Sequence, residues 1–335
     1  MVAFGYSLLC EQRAPRELVA DAVAAERAGF DFEVISDHYF PWLDAQGHAP
    51  NAWAVLGAVA SATERVPLMT YVTCPILRYH PAVVAQQAAT VALLAGEGRF
   101  TLGLGAGENL NEHVVGQGWP PANVRHEMLT EALEIIRRLF AGGYVSHTGR
   151  HFRVDSAKLW DLPEDGVPIA VAVSGAQSVA AFAPFADAMV AVEPQRALVA
   201  SFDAAAGGNL PKIGQQPVAW GTEVAEAVDR AHDQFRWFAG GWKVNAELPG
   251  TAGFAAATQY VRPEDVEEAF PCGPDVAAHV EAARPFVEAG FTHLALVQVG
   301  GETQPQFLEF AERELLPALR EEYGKADGAA VRPRR

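Results

Sequence analysis

The sequence has few cysteines and lacks any long apolar run. Its 335 residues include three cysteines, which are far apart and odd in number, so neither a disulfide framework nor a metal site is expected. The first residues lack the basic head and apolar stretch of a signal peptide, and no uncharged apolar run reaches the roughly 18 residues that a membrane helix needs. These absences predict a cytoplasmic protein that does not enter the membrane.

Basic residues are also scarce. The chain carries 25 Lys and Arg residues against 41 Asp and Glu residues, a formal net charge of −16. Such an acidic surface disfavours nucleic acid and anionic membranes as partners. A small molecule is therefore the expected binding partner.

No linker interrupts the middle of the chain. At 50% hydrophobic residues the chain can bury a large core, and neither a Gly/Ser/Pro-rich stretch nor a long charge run separates two halves. We predict a single domain over residues 1–322. The remaining residues, 323–335, are polar and without apolar period, which predicts a disordered C-terminal tail.

Strand-like and helix-like segments alternate throughout, which indicates an α/β fold. Most of the strand-like runs are continuous and β-branched, as in strands buried on both faces of a parallel sheet. Amphipathic stretches with helical spacing separate them. The eight runs are Ala3–Leu9, Glu33–Asp37, Val66–Thr73, Phe100–Ala106, Val167–Ser174, Ala188–Val192, Pro217–Trp220 and His293–Val299.

Eight such strands form either a closed barrel or an open doubly wound sheet. No GxGxxG opens a helix after the first strand, which disfavours the open dinucleotide-binding sheet. Reactive residues follow several different strands, as in (β/α)8 TIM barrels, which place their sites there. We therefore predict a TIM barrel with a helical insertion between strands 7 and 8. The insertion, about residues 223–270, is rich in aromatic residues and could cover the site.

The ends of the second and third strands carry the first candidate site residues. The second strand is followed by Asp37, His38 and Trp42. Their carboxylate, imidazole and indole groups can line one pocket, but a helix start capped by Asp37 explains these residues equally well. The third strand ends at Tyr71–Pro75. Its backbone edge could face a flat ring, or it could be ordinary core followed by a proline.

The ends of the fourth and fifth strands add a glycine-rich loop and a helix start. Three glycines at alternate positions, residues 103–107, would let a ring or phosphate approach the backbone. A carboxyl group of Glu108 beside such a ring would have a raised pKa and could act as a general acid. The alternative interpretation of this segment is a glycine-rich turn in which Glu108 caps the next helix. Small residues from Ser174 onward precede a helix and could bind a phosphate.

Taken together, these segments resemble the luciferase-like monooxygenase superfamily, and most closely its branch of deazaflavin (coenzyme F420)-dependent oxidoreductases related to the F420-dependent glucose-6-phosphate dehydrogenases. The resemblance covers residues 2–195 well and the remainder loosely. The matching segments are Ala14–Val19, Val34–Trp42, His48–Pro50, Arg78–Gln86, Gly103–Glu112 and Tyr144–Val154.

The resemblance implies a homodimeric enzyme that transfers a hydride between F420 and a small organic substrate. It assigns three catalytic residues: His38 as the base for the substrate hydroxyl, Trp42 packing over developing charge, and Glu108 as the proton-handling acid. Asp37 would hold the cofactor head group, and Ser174 and Gly175 its phosphate. The full set implied to bind the cofactor is Asp37, Tyr71, Val72, Cys74, Ala106, Gly107, Asn111, Val173, Ser174, Gly175 and Ala176.

One segment departs from the sugar-phosphate enzymes. After the sixth strand those enzymes place a threonine and a lysine that grip the phosphate, whereas this chain has Val192, Glu193, Pro194 and Gln195. We therefore expect an alcohol, carbonyl or activated alkene rather than glucose 6-phosphate. Two alternatives remain open, an FMN-dependent luciferase-like monooxygenase and a non-catalytic cofactor-binding barrel.

Overall fold

Eight parallel strands close into a barrel in a computed structural model that describes residues 1–326 and 328–334. The predicted TIM barrel is confirmed. Around the barrel the order is β1-β2-β3-β4-β7-β8-β9-β10, and β10 pairs with β1. The strands are β1 Ala3–Leu8, β2 Phe32–Ile35, β3 Leu68–Thr70, β4 Phe100–Leu104, β5 Val145–Thr148, β6 Arg153–Ala157, β7 Ile169–Ala172, β8 Ala188–Val190, β9 Lys212–Val218 and β10 His293–Gln298.

Helices surround the barrel and supply the parallel crossovers. Between β9 and β10 the chain forms α8 to α11 before α12, which leads back to the last strand. None of the described helices combines the length and hydropathy needed to cross a bilayer. The helices are α1 Pro15–Ala28, α2 Ala52–Ala62, α3 Pro81–Ala95, α4 Asn109–Glu112, α5 Ala122–Phe140, α6 Ala176–Phe182, α7 Arg196–Ala206, α8 Val224–Phe235, α9 Trp242–Asn245, α10 Gly250–Ala257, α11 Pro263–Ala269, α12 Val276–Ala289, α13 Gln304–Phe310 and α14 Leu316–Tyr323.

The seventh barrel strand lies earlier than the sequence predicts. Instead of Pro217–Trp220 it spans Lys212–Val218. Its polar residues make this segment look unlike a buried strand, but they have partners inside the protein. The buried Lys212 ammonium lies 2.8 Å from Asp203, and Gln215 donates to the Ser7 hydroxyl at 3.3 Å. The antiparallel hairpin β5–β6 was also not predicted.

The C-terminal tail packs against the barrel, which differs from the expected disorder. Val331 is 4% exposed and joins the apolar cluster that contains the barrel interior. Arg334 donates to the carbonyls of Ala183 and Ala206, and its backbone N–H donates to Asp187. Polar composition concealed this packing because one valine and the hydrogen bonds of Arg334 provide it. Residues 327 and 335 of the predicted tail lie outside the described residues.

Candidate active site

The predicted site residues gather where the strands end. Loops after β2, β3 and β4 bring Asp37, His38, Thr73 and Glu108 into one hydrogen-bonded or ion-paired region, with Arg78 beside them. Parallel strands place their carboxyl ends at the same end of a barrel, which explains this convergence. The residues after β7 follow next around the barrel.

His38 lies between two carboxylates. Its Nε2 is 3.5 Å from Glu108 Oε2, and its Nδ1 is 3.4 Å from Glu11 Oε1 and 3.2 Å from the Phe40 carbonyl oxygen. The Trp42 ring lies 5.0 Å from the imidazole, centroid to centroid. This arrangement fixes both ring nitrogens and gives a proton on the imidazole an acceptor on either side.

Glu11 is a site residue that the sequence analysis missed. It follows β1 and is 1% exposed. The Ser36 hydroxyl donates to its Oε2 at 2.5 Å, and the same hydroxyl accepts the backbone N–H of Cys10 at 2.9 Å. Its position just past a strand's carboxyl end is the signal that could have identified it, by the rule that identified Asp37 and Glu108.

Burial raises the pKa of Glu108, an effect that the positive charge of a protonated His38 would oppose. Asn111 holds this carboxylate by donating from Nδ2 to Glu108 Oε2 at 3.1 Å. The Asn111 Oδ1 atom accepts the backbone N–H groups of Tyr39 and Phe40. Asn111 therefore ties the loop that carries Glu108 to the loop that carries His38.

The hydrogen-bonding capacity of Asp37 is used within the protein. The Thr73 hydroxyl donates to Oδ2 at 2.7 Å, and Arg78 and Tyr79 donate to Oδ1 at 3.1 and 3.4 Å. Arg78 also pairs with the fully buried Glu112. Asp37 thus anchors the neighbouring loop, while its predicted contact with the cofactor stays a prediction.

The alternate glycines make room for neighbouring protein atoms. A Cβ atom on Gly105 would lie 2.7 Å from Val72 Cγ2, and one on Gly107, which has a φ of +78°, would lie 2.4 Å from Cys74 Sγ. The Tyr71–Val72 peptide bond is cis, and burial raises the pKa of the Cys74 thiol well above its ordinary value. Glycine is required at these two positions so that the ends of β3 and β4 can meet.

The helix start after β7 is open, but two of its backbone donors are engaged. The N–H groups of Ser174 and Gly175 donate to the Ser178 hydroxyl at 3.1 and 3.2 Å. A Cβ atom on Gly175 would meet no atom within 4 Å. Val173 is buried, whereas Ala176 is exposed. A phosphate here would have to compete with Ser178 for the first two donors.

Aromatic residues from the segment between β9 and β10 cover Trp42. Trp237 stacks on Trp42 with ring centroids 4.1 Å apart and an interplanar angle of 9°, and Phe254 meets it edge-on at 5.0 Å. These three rings are each at least nine-tenths buried. The wall beside His38 is therefore apolar and closely packed.

Two basic residues that could bind a substrate phosphate, Arg196 and Arg262, contact other groups of the protein. Arg196 donates to the backbone carbonyl of Glu288 at 2.5 Å. Arg262 forms an ion pair with Asp265 at 2.6 Å. Glu193, exposed after β8, accepts the side-chain amide of Gln195.

The chain matches the luciferase-like monooxygenase family over residues 2–293. It belongs to that family. It is 35% identical to the F420-dependent glucose-6-phosphate dehydrogenase of Beutenbergia cavernae over 96% of this chain and 98% of that protein. It is also 35% identical to the F420-dependent hydroxymycolic acid dehydrogenase of Mycobacterium tuberculosis, over 94% of this chain and 88% of that protein.

A solved structure agrees with the sequence relatives. An F420-dependent secondary alcohol dehydrogenase in complex with an F420–acetone adduct superposes with a TM-score of 0.86, at 26% identity, over 95% of this chain and 99% of that one. The predicted family, its F420 branch and the cofactor are confirmed, and the protein is an F420-dependent oxidoreductase.

Proposed function

We propose that the protein is an F420-dependent dehydrogenase or reductase that interconverts an uncharged alcohol and the corresponding carbonyl compound. The observation that carries this proposal is the placement of His38 between Glu11 and Glu108, beside an apolar wall formed by Trp42. Such a site can manage one proton in an environment that excludes water, which is what hydride transfer requires of the protein.

The strand ends suit a flat ring with a phosphate-bearing tail. Tyr71, Val72 and Ala106 are partly exposed among buried strand residues, and Gly107 contributes backbone without a side chain. In this proposal they line the ring together with Cys74 and Asn111, and the open backbone from Ser174 to Ala176 takes the phosphate. Coenzyme F420, when bound, supplies a two-electron hydride acceptor or donor.

His38 takes the proton from the substrate hydroxyl in the oxidative direction. Loss of that proton allows the carbon–oxygen bond to become a carbonyl as the hydride leaves the carbon. Glu11, held by Ser36, orients the imidazole through Nδ1 and leaves Nε2 for the proton. Glu108, whose pKa is raised by burial, retains a proton at higher pH than an exposed carboxyl group, and it would supply the proton that the cofactor takes up together with the hydride.

The charge around the site favours an uncharged substrate. A phosphate needs charge-assisted donors, each contributing about 1.5–3 kcal/mol. The segment after β8 offers Glu193 paired with Gln195 instead, and Arg196 and Arg262 are bound to other groups. The superposed secondary alcohol dehydrogenase is in complex with an F420–acetone adduct, and acetone is a small uncharged ketone.

Glucose 6-phosphate is the competing substrate, because relatives at 34–36% identity are named for it. An anaerobic assay of F420 reduction with glucose 6-phosphate and a panel of simple secondary alcohols separates the two. We expect kcat/KM for the best alcohol to exceed that for the sugar phosphate by about 100-fold or more, the factor for two missing donors at 1.4 kcal/mol per decade. Preference for the sugar phosphate would refute the proposed substrate class.

We further propose that the enzyme is a homodimer formed through α2 and α3. Neither helix contains a charged residue, although 20% of the whole chain is charged. Val83, Leu93 and Leu94 on α3 are 45–50% exposed, and an apolar groove runs between α1 and α2. Contiguous exposed apolar helices are normally covered by a partner. Sedimentation velocity should give a dimer for the protein and a monomer for Leu94→Arg.

A further inference from the structure

Residues 241–250, which we call the cover segment, are bounded by two glycines in a conformation that other residues rarely adopt. Gly241 and Gly250 both have a φ of +69°, and a Cβ atom on either would meet no atom within 4 Å. Backbone conformation rather than crowding therefore calls for glycine at both ends. The cover segment contains α9 and carries a single acidic residue, Glu247.

Glu247 fastens the cover segment to the loop after β4 and to the start of α5. Its Oε1 accepts Arg125 Nη2 at 2.8 Å, and its Oε2 accepts Trp119 Nε1 at 3.1 Å. Its backbone carbonyl accepts Asn109 Nδ2 at 3.0 Å. The guanidinium of Arg125 lies over the Trp119 ring, 4.3 Å from the centroid, so these groups form one connected cluster.

Asn109 links that cluster to the candidate acid. Its backbone N–H donates to the Ala246 carbonyl of the cover segment at 3.1 Å. Glu108 immediately precedes Asn109 and is the N-cap residue of α4. Loosening of the cover segment therefore releases the two hydrogen bonds that join Asn109, the residue next to Glu108, to the cover segment.

We propose that Glu247 is a positioning residue, which acts through Asn109 to hold the Glu108 loop in its working geometry and keep it closed to water. The proposal rests on the proposed role of Glu108 for its effect on turnover. Glu108 is faced by His38, Glu11 and Arg78, with the Cys74 thiol nearby. None of these groups lies on the cover segment, so a change in the pKa of Glu108 in a Glu247 variant reports a change in its hydration or in its distances to these groups, and Glu247→Gln controls for the lost negative charge.

The experiment compares Glu247→Ala with Glu247→Gln and a matched control. Gln keeps an oxygen that can accept from Trp119 and Arg125 but loses the negative charge, so it should lie between the wild type and Ala. Glu281→Ala removes a carboxylate of comparable exposure from its ion pair with Arg284 on α12, far along the chain from the site residues, although Arg284 is more exposed than Arg125. Three quantities are measured: trypsin cleavage after Lys243 in the free protein, the Glu108 carboxyl titration by 13C NMR assigned with Glu108→Gln, and kcat.

For Glu247→Ala we expect cleavage about threefold faster, the factor typical of losing one partly exposed ion pair. The pKa of Glu108 should fall toward its ordinary value, and kcat should fall by about three- to tenfold with unchanged F420 affinity. The control should match the wild type. An unchanged Glu108 titration in Glu247→Ala would overturn the proposal, even if cleavage were faster, because Glu247 would then be a structural fastening only. If the wild type fails to reduce F420 with every substrate tested, the proposed function fails. The cleavage and the titration still decide the role of Glu247 in that case.

Discussion

Replacing Glu108 by glutamine separates a chemical role from a structural one. Gln has nearly the same shape, and its amide oxygen can still accept the 3.1 Å hydrogen bond from Asn111 Nδ2. The contact with His38 Nε2, at 3.5 Å, loses its charge but not its packing. We therefore expect the free energy of unfolding and the free energy of F420 binding each to change by less than about 1 kcal/mol.

Turnover should change far more. An acid that transfers a proton in the transition state contributes about 10²–10⁴-fold, or roughly 2.7–5.4 kcal/mol of activation free energy. This exceeds what loss of one hydrogen bond contributes, so kcat distinguishes the two roles. The assay is anaerobic F420 reduction at saturating substrate, beside fluorescence titration of cofactor binding. Normal turnover would mean that Glu108 only caps α4, and a parallel loss of cofactor binding would mean that it holds the ring.

Two further predictions concern stability. Both carboxylate oxygens of Glu33 lack a hydrogen-bond partner within the described residues, and burial raises the pKa of this group well above its ordinary range. A group whose pKa is raised in the folded state stabilises the protein at low pH, and this contribution to stability is lost as the pH rises through the folded-state pKa. Glu33→Gln should therefore raise the melting temperature at pH 8 and have a smaller effect at pH 5, and an equal effect at both would contradict the assignment. Val331→Asp would bury a charge at the barrel interior and should cost about 2–4 kcal/mol, whereas Arg332→Asp on the exposed neighbour should not; equal denaturation midpoints for the two variants would show that the tail does not pack there.

Buried continuous strands and helical spacing predicted a parallel α/β fold, because parallel strands covered on both faces read as apolar runs. The missing GxGxxG and the reactive residues after several strands then favoured the barrel over an open sheet. The misplacement of the seventh barrel strand has a physical cause. Lys212 and Gln215 made β9 look like a loop, although their partners Asp203 and Ser7 lie close in the fold. Sequence shows residue polarity but not the distant partner that satisfies it.

The candidate site was predictable where a reactive residue directly follows a recognised strand, as Asp37, His38 and Glu108 do. Glu11 was overlooked because its contacts with Ser36 and His38 join residues 25 or more positions apart, which no local pattern indicates. The engagement of Ser174 and Gly175 by Ser178 depends on backbone direction, which sequence does not specify. The contacts of Glu247 join residues more than 120 positions apart, so no local pattern could indicate them.

Transfer of deuterium from a labelled secondary alcohol to F420 tests the proposed reaction most directly. The substrate carries deuterium on the carbinol carbon, and the reduced cofactor is analysed by mass spectrometry after one turnover. We predict that the label appears in the cofactor with wild-type protein, and that His38→Ala slows its appearance by at least about 100-fold. The same experiment with glucose 6-phosphate labelled at its anomeric carbon should give little transfer. Efficient transfer from the sugar phosphate, with none from any alcohol, would contradict the account.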